Sequence, residues 1–172
     1  MEKGYVQVYT GDGKGKTTAA LGLALRAAGA GLKVYIAQFI KKACYSELQA
    51  LERFSDFITI EQFGTGCYIR GEAAPADVEA AQKCLKAIKA AVESAAYDIV
   101  IMDEAGVAEF FKLIDAQDVL DIIAVKPETV ELVITGRRVS EAVIAKADLV
   151  TEMRPVRHYY DNGVMARLGI ES

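Results

Sequence analysis

No tryptophan occurs among the 172 residues, and histidine occurs once, at His158. Cysteine is scarce too. Cys44, Cys67 and Cys84 are odd in number, widely spaced and never arranged as C-x-x-C. That excludes a recognisable zinc knuckle and argues against a disulfide framework, so a reducing cytoplasm is the simplest home. Cys84 is expected to pack as a small apolar residue within a helix. No apolar run reaches the roughly 18 residues of a membrane span. Basic excess is missing as well, and a net charge of −4 argues against a general nucleic-acid binder. Met1-Glu2-Lys3-Gly4 enters an apolar segment almost at once, so no signal peptide is expected. There is no internal repeat, low-complexity tract or linker. With 52% hydrophobic residues, one domain spanning residues 1–172 is expected.

What the chain does contain is a glycine-rich turn, Thr10 to Thr18, reading T-G-D-G-K-G-K-T-T. It follows the apolar segment Tyr5-Val6-Gln7-Val8-Tyr9 and leads into the helical pattern Ala19-Ala20-Leu21-Gly22-Leu23-Ala24-Leu25. Such a turn aims several backbone N–H groups at one spot, with the positive end of the helix dipole behind them, and so forms a cradle for phosphates. Gly11, Asp12, Gly13, Lys14, Gly15, Lys16, Thr17 and Thr18 are the phosphate-binding candidates. Lys16 supplies a mobile cation, and the Thr17 hydroxyl suits a magnesium ion held by the phosphates. Against the pattern G-x-x-x-x-G-K-[ST], the opening glycine falls one residue late, at Gly11 instead of position 10.

Strand and helix signals alternate along the chain, which predicts an α/β fold: a mostly parallel sheet with helices on both faces. Strands are expected over 33–40, 57–62, 98–102, 130–135 and 148–153. A short helix is expected over 46–54. Pro75 opens a long amphipathic helix with its apolar stripe at Val78, Ala81, Leu85, Ile88, Val92 and Ala95. Asp115 caps a further helix, and Ser140 caps a short one to about Ala147. Gly64 to Gly71 reads as an irregular loop.

Ligands of open parallel sheets gather at the carboxyl ends of the strands. Asp103-Glu104 ends an apolar strand there, in the form of acids that hold magnesium directly or through water. Arg137 ends another and is placed to neutralise phosphate charge, whereas Arg138 is expected to face solvent. Arg26, on the first helix, either reaches the same phosphates or pairs on the surface. The residues alone thus specify a magnesium nucleotide site, and many chemistries use one.

Three segments together resemble the P-loop ATP:corrinoid adenosyltransferases. They are Val8 to Ala20, Tyr97 to Glu104, and Ile134-Thr135-Gly136-Arg137 continuing into Ala147 to His158, with Asp161, Gly163, Ala166 and Gly169-Ile170-Glu171 closing the chain. The family shares the displaced opening glycine. The resemblance implies a single-domain P-loop NTPase-like (RecA-like) fold. It also implies ATP bound in reverse, with C5′ of the ribose facing the corrinoid. Cobalt reduced to Co(I) attacks C5′ and expels triphosphate, so no protein nucleophile or general base is needed. Lys16, Arg137 and Glu104 become the catalytic groups, Thr17 and Glu104 the magnesium ligands, and Asp103 a partner behind them. A homodimer and an electron donor such as a flavoprotein are implied as partners.

In the best-described members a phenylalanine and a tryptophan follow the Gly-Thr-Gly run and wall off the lower corrinoid face. Here those positions are Cys67 and Ile69, with Tyr68 between them. Tyr68 either takes the aromatic role or is an ordinary loop tyrosine, and Cys67 is read as a small apolar contact. An N-terminal extension that helps cover the site in some relatives has no counterpart, so closure is expected from the Gly64–Gly71 loop or a partner subunit. His158 is either an orienting group near the site or a hydrogen-bonded structural residue. A nucleoside kinase and a non-catalytic nucleotide and corrinoid carrier are the competing readings.

Overall fold

The computed structural model describes residues 2–42, 46–66, 69 and 71–171. Six strands, β1 (Val6–Thr10), β2 (Val34–Gln38), β3 (Ile58–Gln62), β4 (Ile99–Asp103), β5 (Glu131–Thr135) and β6 (Leu149–Glu152), form one sheet. Their order is β3-β2-β4-β5-β1-β6 and every pairing is parallel. Six helices connect them: α1 (Lys16–Gly29), α2 (Ser46–Leu51), α3 (Pro75–Ser94), α4 (Ala105–Phe110), α5 (Ala116–Val125) and α6 (Glu141–Ile144). No helix among the described residues is long and apolar enough to cross a membrane.

All residues of β2, β4 and β5 are buried. Their near-continuous aliphatic character follows, because helices cover both faces of the sheet and leave neither wet. Successive side chains alternate between those faces. Ile99, Ile101 and Val133 pack with Ala20, Ala24 and Ala27 of α1. Val100, Met102 and Ile134 point the other way, onto the side covered by α3 and α5. The alanine stripe of α1 lets that helix lie close to the sheet, which brings its N-terminus over the strand tips.

Three local expectations need correction. The buried stripe of α3 is Ala81, Cys84, Leu85, Ile88, Ala91 and Val92; Val78 is exposed, and Ala95 lies past the helix end at φ 49°. Ser140 stands at the N-cap of α6, but its hydroxyl makes no capping bond and is buried without a partner among the described residues. The helix itself stops at Ile144; the Ala145 N–H still reaches the Glu141 carbonyl, and i→i−3 turns carry the chain on to Ala147. Finally, α4 follows Glu104 directly, where no helix was expected. Asp115 does cap α5, its side chain accepting the Asp118 N–H at 3.0 Å.

Strand order determines what meets at the carboxyl edge. β5 lies between β1 and β4, with Tyr9 opposite Thr135 and Met102 opposite Ile134. Neighbouring strands are about 4.8 Å apart, so the glycine turn and the acidic tip of β4 lie roughly 10 Å apart. Thr135 stands between them.

Candidate functional site

The turn from β1 into α1 is shaped by its contact with the chain leaving β6. The Gly13 N–H donates to the Met153 carbonyl at 2.7 Å. A Cβ at Gly11 or Gly13 would come within 2.5 or 2.6 Å of that same oxygen, and Gly11 has φ +94°. Thr10, by contrast, is still a β1 residue, paired in register with Glu152. The glycine therefore belongs at 11, where the backbone is crowded and left-handed, and position 10 needs none. Gly15, at φ +118°, then turns the chain into α1.

Lys16 is buried, and its ammonium donates to the carbonyls of Gly11 and Gly13, both at 2.7 Å. Burial pushes its pKa down, while the charge of Glu104 acts in the opposite sense. The lysine is thus held against the inner wall of the turn.

Asp103 is the hub of the neighbouring network and is 1% exposed. Its Oδ1 accepts from Thr17 Oγ1 at 2.9 Å and Thr135 Oγ1 at 2.8 Å. Its Oδ2 accepts from Gln38 Nε2 at 3.0 Å and lies 3.2 Å from Lys41 Nζ. Gln38 is oriented in turn by Gln62 Nε2, which donates to its Oε1 at 2.9 Å. A buried carboxylate is tolerable only when paired and hydrogen-bonded, and here both oxygens are engaged. Asp103 therefore acts on the site through Thr17.

Glu104 adopts φ +64°, and its N–H donates to Thr135 Oγ1 at 3.0 Å. A left-handed non-glycine residue costs about 1–3 kcal/mol, and such strain collects at functional sites. The kink turns β4 abruptly into α4 and places Glu104 on the wall of the main cleft. Burial first, then the Asp103 charge, holds its carboxyl above the usual carboxylate range.

That cleft encloses about 760 Å³ and is bordered by Gly13 through Thr18, Glu104 and Arg137. The volume suits a nucleotide-sized ligand. Gly11 and Asp12 lie behind it: Gly11 supplies its carbonyl to Lys16, and Asp12 is exposed. Arg137 follows Gly136, whose φ of +149° and contact with Gly106 leave no room for a side chain; a Cβ would meet Gly106 N at 2.5 Å. Thus Lys16, Thr17, Glu104 and Arg137 converge.

Arg26 does not join them. It lies exposed in the last turn of α1, about 15 Å along the helix from Lys16 at 1.5 Å per residue. Of its two readings, the surface one fits this placement. Arg138 faces outward as expected but also stacks on Phe110, its guanidinium 4.4 Å from the ring centre. Ile69 is partly buried in the core and lines a small cavity with Phe39, Gly64 and Leu113, none of which borders the cleft above. Cys67 and Tyr68 lie outside the described residues.

Two contributions carry no local signature in the sequence. Lys41, three residues past β2, borders the cleft beside the first turn of α1. The C-terminal segment does so too, through His158, Gly169, Ile170 and Glu171. Lys14 Nζ donates to the Ile170 carbonyl at 2.9 Å. Tyr159 and Arg167 both hydrogen-bond the Glu171 carboxylate, and these bonds, Arg167 first, pull its pKa down to about 2. His158 Nδ1 accepts the Tyr160 N–H at 3.1 Å, so the histidine both borders the cleft and organises the tail. The strand-edge rule would have pointed to Lys41; nothing in the tail's pattern pointed to its fold-back.

Comparison with known proteins agrees with this geometry. The family model for ATP:corrinoid adenosyltransferase BtuR/CobO/CobP matches residues 2–172. The corrinoid adenosyltransferase of Escherichia coli K12 is 33% identical over 171 residues, covering 99% of this chain and 86% of its own. That of a Sinorhizobium species is 34% identical over 173 residues, covering 99% and 81%. Corrinoid adenosyltransferase CobA of Salmonella typhimurium is 33% identical over 171 residues, covering 99% and 86%. A glycine turn opening a helix, a strand-end acid pair and a strand-end arginine meet here in a chain matched along almost its whole length: it belongs to the ATP:corrinoid adenosyltransferase family.

Proposed function

We propose that this chain transfers the 5′-deoxyadenosyl group of ATP to the Co(I) centre of a reduced corrinoid and releases triphosphate. The observation that carries the reading is the convergence of Lys16, Thr17, Glu104 and Arg137 on one cleft in a member of this family. ATP lies with its phosphate chain in the glycine turn and C5′ towards the open side. The electron pair of Co(I) forms the Co–C5′ bond, the C5′–O bond breaks, and its electrons leave on triphosphate. Cobalt is oxidised from Co(I) to Co(III). Charge accumulates on the departing oxygen, so preorganised donors there lower the barrier. Lys16, Arg137 and the turn N–H groups supply them.

The donor set fits magnesium, which takes one or two protein oxygens and leaves the rest of its sphere to phosphates and water. Thr17 Oγ1 and the Glu104 carboxylate would hold the ion, with Asp103 orienting Thr17. Bound there, magnesium would neutralise the triphosphate as it departs. The elevated Glu104 pKa supports this role, since a buried acid beside a second carboxylate gains most from a cation.

The working enzyme is proposed to be a cytoplasmic homodimer served by an electron donor such as a flavoprotein, because Co(I) requires a strong reductant. By the family resemblance Cys67 and Tyr68 are assigned to the corrinoid side of the site, whereas Ile69, packed into the core, is not. The test is incubation with ATP, magnesium and a chemically reduced corrinoid. Co–C bond formation followed by absorbance should match released triphosphate in equal amounts. ADP formed with a nucleoside acceptor would favour a kinase, and binding without turnover a carrier.

A further inference from the structure

We propose that Lys41 is a third cationic ligand of the phosphate chain, alongside Lys16 and Arg137. The proposal rests on the adenosyltransfer reading and extends it to a residue outside the glycine turn and the strand-end motifs.

Lys41 lies on the segment that leaves β2, whose last residue Gln38 pairs in register with Asp103. That pairing carries the lysine to the first turn of α1. Its ammonium lies 3.2 Å from Asp103 Oδ2, 3.4 Å from Thr17 Oγ1 and 3.8 Å from Glu47 Oε1. The side chain is 17% exposed and borders the cleft that also holds Lys16, Glu104 and Arg137. It is therefore an aimed cation, whose position is set by carboxylates on two sides.

Thr17, in the first turn of α1, also borders the cleft, so an ammonium 3.4 Å from its hydroxyl is within reach of an anion held by that turn. Three carboxylates, Glu47, Asp103 and Glu104, surround this corner. Without Lys41 their field would oppose a polyanion. With it, the corner presents a charge that can follow the chain as it leaves. The backbone of the same residue is also tied down: the Lys41 carbonyl accepts the Gly64 N–H at 3.1 Å. A Cβ at Gly64 would come within 2.4 Å of the Ile40 backbone, so Gly64 is fitted closely against the segment that carries Lys41.

Inorganic triphosphate isolates this role from the rest of the nucleotide. Calorimetric titration of wild type, Lys41→Met and Lys41→Arg with magnesium and triphosphate, and separately with adenosine, provides the comparison. Lys41→Met should weaken triphosphate about tenfold or more, the loss of one charged hydrogen bond. Adenosine affinity should stay within about twofold, and Lys41→Arg should recover most of the triphosphate affinity. Equal triphosphate affinity in wild type and Lys41→Met would overturn the proposal. So would parallel losses of triphosphate, adenosine and thermal stability, which would mark a structural role. A wild type that binds no triphosphate and forms no Co–C bond would instead sink the underlying adenosyltransfer reading.

Discussion

Thr17 and Asp103, 86 positions apart, are joined by a 2.9 Å hydrogen bond from the Thr17 hydroxyl to Asp103 Oδ1. Thr135 bridges the same oxygen from the intervening strand. One carboxylate thereby aligns the first turn of α1, the tip of β5 and the tip of β4. Asp103→Ala should abolish turnover and lower stability. It strands the donors of Thr17, Thr135 and Gln38 in a buried site, at about 1–3 kcal/mol for each one left unsatisfied. Thermal unfolding and turnover measured on the same preparations check both parts, and a stable, active variant would contradict them.

Lys16→Ala and Glu104→Ala should each cut turnover roughly 10²–10³-fold, as expected for loss of one preorganised charge at a departing anion. Circular dichroism should remain that of the folded protein. Near-normal rates in both variants would remove these residues from the chemistry.

Glu104 links activity and stability with opposite signs. Its folded-state pKa is raised by burial and by Asp103. The ligand-free protein is therefore most favoured below the ordinary carboxylate range and loses that increment as pH rises through the raised value. Glu104→Gln should accordingly raise the unfolding midpoint near neutral pH by about 2 °C or more, while cutting magnesium-dependent turnover about as far as Glu104→Ala does. In wild type, turnover should fall as pH drops through the raised Glu104 pKa, because the cation requires the ionised form. A Glu104→Gln midpoint below that of wild type at neutral pH contradicts the first part.

Gly136→Ala should weaken ATP binding by displacing Arg137. The added Cβ would lie 2.5 Å from Gly106 N and 2.7 Å from Gly106 Cα, both backbone atoms that cannot swing aside. An ATP affinity equal to wild type would show that Arg137 does not depend on this turn.

A stop codon after Gly169 removes the Ile170 carbonyl from Lys14 and Glu171 from Tyr159 and Arg167. These contacts are largely exposed, so the melting temperature should change little. ATP affinity should fall by less than about tenfold, the scale of a wall lost from a site whose main contacts remain. Unchanged affinity would mean the tail does not reach the nucleotide.

Much of this site is legible in one sequence because its parts are local. The turn from Gly11 to Thr18 is contiguous, and Asp103-Glu104 ends an aliphatic run whose burial on both faces makes it conspicuous. Lys41 is different. Beside Lys42 it looks like half of a solvated pair; its place just past a strand marks the carboxyl edge of the sheet, and the pairing of β2 with β4 then sets it beside Asp103. The tail is hidden for the same reason, since Lys14 and Ile170 are 156 positions apart. At six residues α4 is too short for periodicity to reveal. Arg26 shows the converse limit: helical spacing places it on α1 but does not say whether its turn lies at the site.

The most direct test of the account is a crystal structure of the protein with ATP, magnesium and a corrinoid. The account predicts triphosphate oxygens against Lys16, Lys41 and Arg137, with the ribose C5′ open towards cobalt. A γ-phosphoryl group facing the open side, with the ribose enclosed against α1, would contradict it.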